Sequence, residues 1–322
     1  MSRGLVAVLA LAGALCGSSP AHAQAYPDKA IRVIVNSAPG GLTDVVARLV
    51  MTRMSQSLGQ PLVIDNRSGS GGMVGAEQVA KAEPNGYTIA VVGAAITAAP
   101  SLTPGLSFDT LKDFTPVCLL VSTPLLLVTN VASPYRTLAQ YVADAKAKPG
   151  QISIASGGNG TIGHLLAEQL QVDAGLKLIH VPYKGGAPAL NDVIAGHVPA
   201  FFDTLTTSAK LVQEDKLRAL GIVSAKRSPA LPNVPTFAEL GHADISGSTW
   251  FAVIAPAGTP REIVTKLNEE ANKALSVPEI RERIASLGGT VEGGPPSILA
   301  DLMRSEVPKW SKLIRERGIT AQ

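Results

Sequence analysis

Short, unbroken apolar runs recur along this chain, each followed by a loop of small residues and then by a segment with apolar positions every three or four residues. Unbroken runs suit strands covered on both faces, and the longer spacing suits one apolar face of a helix. "IRVIVNSAPGGLTDVVARLV" (31–50) and "ISIASGGNGTIGHLLAEQL" (152–170) share this order of strand, loop and amphipathic helix. Each continues with a second strand, "PLVIDNR" (61–67) or "LKLIHVPY" (176–183). Glycines and another helix follow, "GMVGAEQVAKA" (72–82) or "APALNDVIAG" (187–196), then a third strand, "YTIAVVGA" (87–94) or "PAFFDTL" (199–205). A chance echo would repeat the element order; here the loop chemistry repeats with it. Two successive βαβαβ units predict an α/β protein of two lobes, each a mainly parallel sheet flanked by helices.

Two further apolar stretches, "FTPVCLLVSTPLLLVTN" (114–130) and "GSTWFAVIAPAG" (247–258), are long for single strands, so each is expected to pass from one lobe to the other. The segments 260–275 and 297–318 have helical spacing, and "RSPALPNVPTFAELG" (227–241) is a proline-rich connection. At the N-terminus, Arg3, an apolar run from Leu5 to Cys16 and Ala21-His22-Ala23 read as a secretory signal peptide (1–23) cleaved after Ala23. The run is short of the roughly 20 residues that a membrane span needs. Lipidation at Cys16, or retention of the segment as an anchor, is the alternative, although Leu15 stands where lipidation wants a small residue.

Cleavage leaves Cys118 as the one cysteine, which excludes an intramolecular disulfide. Hydrophobic residues make up 46% of the chain, enough for sizeable cores without one. Losing Arg3 from 28 basic residues leaves 27 against 25 acidic. With no basic run or aromatic-interleaved stripe, nucleic acid is not an expected partner. The expected product is exported and soluble.

Gly158-Asn159-Gly160-Thr161-Ile162-Gly163 matches the GxGxxG dinucleotide fingerprint. That fingerprint also needs an acidic residue about 20 positions on, at the end of the second strand. The strand here reads Ile179-His180-Val181 and offers none, so no cofactor is expected. What remains is the physics of a strand-to-helix turn, where glycines let backbone amides approach an anion and the helix N-terminus adds partial positive charge. Gly40-Gly41 and Gly157 to Gly160 supply such turns, with Ser37, Thr43, Ser156 and Thr161 hydroxyls beside them. Charge-assisted hydrogen bonds contribute roughly 1.5–3 kcal/mol each, so three or four offset the desolvation of a carboxylate. The plainer alternative is that the glycines make tight turns and the hydroxyls cap helices. Asp203 stands at the end of the second lobe's third strand, where α/β sheets face their ligands. It reads either as an acceptor for ligand or bound water, or as the N-cap of "TTSAKLV".

Catalytic and metal-binding patterns are sparse. GxSxG, HExxH and CxxC are all missing, and Cys118 lies in an apolar run. His164 and Glu168, one helical turn apart, read as a surface contact rather than a metal site. His180 is a candidate base without an evident nucleophile.

"YPDKAIRVIV", "APGGLTD", "IDNRSGSGGMVGAE", "EPNGYTI", "GGNGTIGH", "HVPYKGGAPALND", "FFDTL", "LPNVPTFAELG" and "FAVIAPAGTP" occur in this order from Tyr26 onward. In these motifs the chain resembles the Bug family, also called TctC-like: periplasmic solute-binding receptors of tripartite tricarboxylate transporters. The resemblance implies a periplasmic-binding-protein-like fold of two lobes joined by two crossing strands and closing over a small carboxylate. It implies one lobe from 26–126 with 248–322 and another from 127–247. It also places a ligand carboxylate, partly through ordered waters, at the loops matching Ala38 to Thr43 and Ser156 to Thr161, with Asp203 facing the same cleft. The candidate ligand-binding set is Ser37, Gly40, Gly41, Leu42, Thr43, Ala94, Ser156, Gly157, Asn159, Gly160, Thr161 and Asp203. No catalytic or metal-binding residue is assigned. Leu42 stands where the family commonly has a hydroxyl, although its backbone amide survives, and Ala99 stands where an Asn is common. Together these imply one well-held carboxylate on a fairly apolar body. The expected partners are that acid and the membrane permease subunits, with the receptor a monomer. A sensing subunit for a signalling system, and an exported hydrolase or lyase, are the alternatives.

Overall fold

A computed structural model describes residues 26–103 and 105–320. The expected signal peptide, with Cys16, lies outside the described residues.

The first unit alternates as expected: β1 (Ile31–Val35), α1 (Leu42–Leu58), β2 (Leu62–Asn66), a short 3-10 turn (Ser70–Gly72), α2 (Met73–Ala80), β3 (Thr88–Gly93) and α3 (Ala95–Leu102). The chain then runs through β4 (Phe114–Thr123) into β5 (Leu125–Asn130) and α4 (Leu138–Ala147). The second unit comprises β6 (Ser153–Ser156), α5 (Ile162–Ala174), β7 (Ile179–Pro182), α6 (Gly186–Ile194), β8 (Phe201–Thr204), α7 (Leu205–Gln213) and β9 (Leu217–Val223). β10 (Thr249–Pro256), α8 (Arg261–Ser276), α9 (Pro278–Ser286), β11 (Thr290–Val291) and α10 (Pro296–Arg317) complete the chain.

Two sheets result, in the orders β11-β4-β10-β3-β1-β2 and β7-β6-β8-β5-β9. β1, β2 and β3 run parallel, as do β6, β7 and β8. The two helix-flanked, mainly parallel sheets are those expected, and each also holds a crossing strand, β10 or β5, that is antiparallel to both of its neighbours. The reason is topological. A strand arriving from the other lobe enters at the end where the parallel strands finish, so it must run against them.

The first crossing falls at Pro124, which has no amide to give to a ladder and separates β4 from β5. β5 pairs in the second sheet from Leu125 onward, slightly ahead of the expected boundary at residue 126. The return crossing leaves β9 at Val223 and re-enters the first sheet as β10 at Thr249.

Three apolar clusters hold these layers. One covers a single face of the first sheet through Val46, Met51, Leu267 and Ile284, and another covers the corresponding face of the second through Val193, Phe201 and Leu205. The third is continuous across both lobes. It joins Ile34, Ile96, Leu119 and Trp250 to Leu127, Leu166 and Phe202 through Met303, Trp310 and Leu313 of α10.

Candidate functional site

Both crossings bring the sheets together at the C-terminal ends of their parallel strands. Thr123 faces Thr249 in the first sheet, while Leu125 faces Thr204 and Val223 in the second. The C-terminal ends of the parallel strands in both lobes therefore face the junction, where open α/β sheets bind ligands.

A cleft of about 530 Å³ opens there. Its first-lobe wall is Ser70, Gly71 and Met73 before and within α2, with Ala95, Ala99, Leu102 and Thr103 along α3. Its second-lobe wall is Gly158, Asn159, Gly160 and Thr161. Of the candidate residues, Asn159, Gly160 and Thr161 line the cleft, whereas Ser37, Gly40, Gly41, Leu42, Thr43 and Asp203 are not among its lining residues. Among the described residues no charged side chain lines it. Leu102 closes part of the gap, since a Cβ on Gly160 would fall 2.3 Å from Leu102 Cδ1. Gly160 also has φ of +72°, so both space and backbone require glycine. Another cavity, of about 510 Å³, lies between the 223–248 segment and α10, away from both glycine loops.

The two loops are built alike. Gly40 and Gly160 both take positive φ and donate their amides to a side chain four residues on: Asp44 Oδ2 at 2.9 Å and His164 Nδ1 at 3.0 Å. The following residues, Gly41 and Thr161, are the N-caps of α1 and α5. Several amides expected to face an anion are thus already committed. Gly41 donates to Ala38 O, Gly158 to Ser156 Oγ and Thr161 to Gly158 O. The amides of Leu42, Thr43, Gly157 and Asn159 have no partner among the described residues. Those of Leu42 and Thr43 open the first turn of α1, whose N-cap Gly41 has no side chain to satisfy them.

Ser37 is half-buried beside its loop, and the Thr161 hydroxyl caps α5 through the His164 amide while donating to Gly158 O. Ala94 is buried with its amide on Trp250 O and its carbonyl on Thr97; the neighbouring Ala95 reaches the cleft. Asp203 is not the N-cap of α7, a position held by Thr204. It lies buried beneath that helix, where Oδ2 accepts from the hydroxyls of Thr207 and Ser208, the latter at 2.6 Å. Burial raises its pKa against the opposing pull of those hydrogen bonds.

Asp44 is also buried and had no assigned role. Burial raises its pKa, but Arg48, the Gly40 amide and Asn66 outweigh that and hold its carboxyl below the usual range. His164 and Glu168 are buried too, at 4% and 6% exposure, which corrects the expected surface contact. His164 stacks on His180 with ring centroids 3.7 Å apart, and Glu168 pairs with Arg317 of α10 at 2.5 Å. Ser156 Oγ lies 2.7 Å from His180 Nε2, a serine–histidine contact that spacing did not reveal. Ser156 is completely buried and also bonded to Gly158, while burial, and then His164, push the His180 pKa down to about 4. These hydrogen bonds of the Ser156 hydroxyl tie the loop to itself and to β7. No cluster with metal-ligand composition occurs among the described residues.

Residues 46–319 match the family model of the tripartite tricarboxylate transporter family receptor, TctC. The chain belongs to this family. Among relatives of this receptor, a protein of the tcbD–tcbE intergenic region in Pseudomonas sp. is 39% identical over 99% of this chain and 95% of its own. BugT of Bordetella pertussis is 37% identical over 98% of this chain and 97% of its own. MatC from Rhodopseudomonas palustris, solved with bound malate, superposes with a TM-score of 0.76 at 33% identity, covering 90% of this receptor and 100% of MatC. An R. palustris protein solved with adipate gives 0.78 at 34% identity, covering 92% and 100%.

Proposed function

We propose that this receptor works in the periplasm, holding a small organic carboxylate in the interlobe cleft and delivering it to the membrane permease of a tripartite transporter. The observation that carries the reading is the cleft itself: apolar Met73, Ala95, Ala99 and Leu102 line it beside a glycine loop, with no charged side chain among the described residues. Such a wall suits a ligand with an apolar body, and unpaired amides near helix N-termini neutralise its anionic end. Malate and adipate in two structural relatives support the same class of ligand. Among the described residues no helix is long and apolar enough to cross a membrane, consistent with a receptor that must hand its ligand to separate permease subunits. We read it as a monomer and a non-enzyme: Ser156 is fully buried and neither it nor His180 lines the cleft.

Mass spectrometry of small molecules released by denaturing the purified protein tests this, followed by calorimetric titration of the recovered acid. A dicarboxylate or related acid bound and recovered unchanged is the expected result. Chemical conversion of the acid would instead place the protein among exported hydrolases or lyases.

A further inference from the structure

Each glycine loop is held from behind by a side chain one turn into the helix that follows, and both lobes use the same spacing. In the first lobe Gly40 donates to Asp44, which is held by Arg48 four residues on and by Asn66 at the end of the second strand. In the second lobe Gly160 donates to His164; Glu168, four residues on, stands 3.7 Å from His164 Nε2, and His180 of the second strand stacks on the imidazole with planes 5° apart. The positions correspond while the side-chain chemistry differs. What the two units share is therefore an acceptor held rigidly at a fixed distance behind the loop.

The second brace extends into the C-terminal helix. Glu168 takes Arg317 Nε on Oε2 at 2.5 Å and Gln171 Nε2 on Oε1 at 2.7 Å. Because His164 accepts at Nδ1, its proton must sit on Nε2, the nitrogen facing Glu168. Arg317 compensates a carboxylate that is otherwise buried without a cation, and so fixes the group that orients the imidazole.

We propose that His164 is a positioning residue for ligand binding, aligned by Glu168 and Arg317, and that it sets the loop so that the unpaired amides of Gly157 and Asn159 receive the carboxylate. This rests on the carboxylate-receptor reading. His164→Leu removes the acceptor, whereas His164→Asn puts an amide oxygen near the place of Nδ1. Titrated with adipate, H164L should bind about tenfold more weakly, the equivalent of one lost hydrogen bond, and H164N within about threefold of the wild type. Arg317→Met should fall between them, and the H164L/R317M double variant should bind no more weakly than H164L alone. Equal binding by H164L and H164N, or additive losses in the double variant, would overturn the proposal. If H164L does not fold, H164N and R317M are read alone, and wild-type affinity in R317M overturns it. If no dicarboxylate binds the wild type, the carboxylate reading fails and amide exchange decides the positioning role. Gly160 exchange that is faster in R317M than in wild type or H164N sustains that role; unchanged exchange overturns it.

Discussion

At the scale of single residues, Gly160 carries the most constrained position in the cleft. Valine there would meet Leu102 across the gap and would have to adopt a positive φ that branched side chains avoid. Gly160→Val should cost at least about tenfold in affinity for the bound acid, or about 1.4 kcal/mol, with a measurable drop in melting temperature. Wild-type affinity in a calorimetric titration would remove the loop from the site. Asp203 poses a different question, because its bonded oxygen serves the hydroxyls of Thr207 and Ser208. Asp203→Ala leaves the buried Ser208 hydroxyl without its acceptor and should cost about 1–3 kcal/mol of stability, which Asp203→Asn largely restores. A ligand role would add an affinity loss in D203N that bracing alone does not produce, so melts and titrations on both variants separate the two. The glycines, and the hydroxyls beside them, were legible because a strand-to-helix turn demands small residues. Which amides remain available was not legible. It depends on Asp44 and His164 folding back by one turn, and each looks like an ordinary helix residue in the sequence. Met73 and Leu102 reach the cleft only through the packing of α2 and α3, so no local signal marked them.

At the scale of elements, α5 shows how one segment serves capping and the site together. Thr161 caps it, so Thr161→Val should lower stability by roughly 0.5–2 kcal/mol while leaving most of the affinity, as parallel denaturation and titration would report. The stack between α5 and β7 has a pH signature. Burial, and then neighbouring His164, depress the His180 pKa from 6.5 to about 4, against the opposite pull of Glu168. Between these values the unfolded chain takes up a proton that the folded chain refuses. Its contribution to stability is therefore full above pH 6.5, shrinks as pH falls through the window and is gone below about 4. His180→Gln, which keeps a polar end for Ser156, should flatten the pH dependence of the melting temperature across that window, and an unchanged profile would assign it to other groups. The strands themselves were legible as apolar runs, including "IRVIV" and "TIAVVG", because both faces of each sheet are covered. Their directions were not. β5 and β10 read like any buried strand, and only the path of the chain between lobes decides that they run antiparallel.

At the scale of the whole molecule, the two faces of the lobe junction differ, and this bears on how the receptor closes. On the α10 side the core is continuous, and it is tight enough that a Cβ on Gly247 would come within 3.1 Å of Trp310 and 3.3 Å of Leu166. Two polar ties cross between the lobes on that side, Lys309 with Ser246 and Arg317 with Glu168, and Glu306 anchors α10 to Thr97 and Trp250 within the first lobe. On the opposite side the lobes keep separate cores. They touch there where Gly288 meets Thr206, with the Thr123 hydroxyl donating to Gly288 O and lying 3.1 Å from that of Thr206. Separating a continuous core exposes apolar surface at about 25 cal/mol per Å², whereas parting a few hydroxyls costs far less because water replaces their hydrogen bonds. Opening should therefore pivot about the α10 side, near the crossings at 117–128 and 247–256, and should widen the Gly288–Thr206 side. Amide hydrogen exchange with and without saturating ligand checks this directly. Protection on binding is expected in the first turn of α7, in residues 286–290 and in the glycine loops, with α5 and the middle of α10 unchanged. Trp310→Ala should cost about 3–5 kcal/mol and spread ligand-dependent exchange into α5 and α10, because it hollows out the shared core on which the lobes turn. Equal protection on both sides in the wild type would mean that the lobes close as a shear across the whole junction, with no pivot along α10.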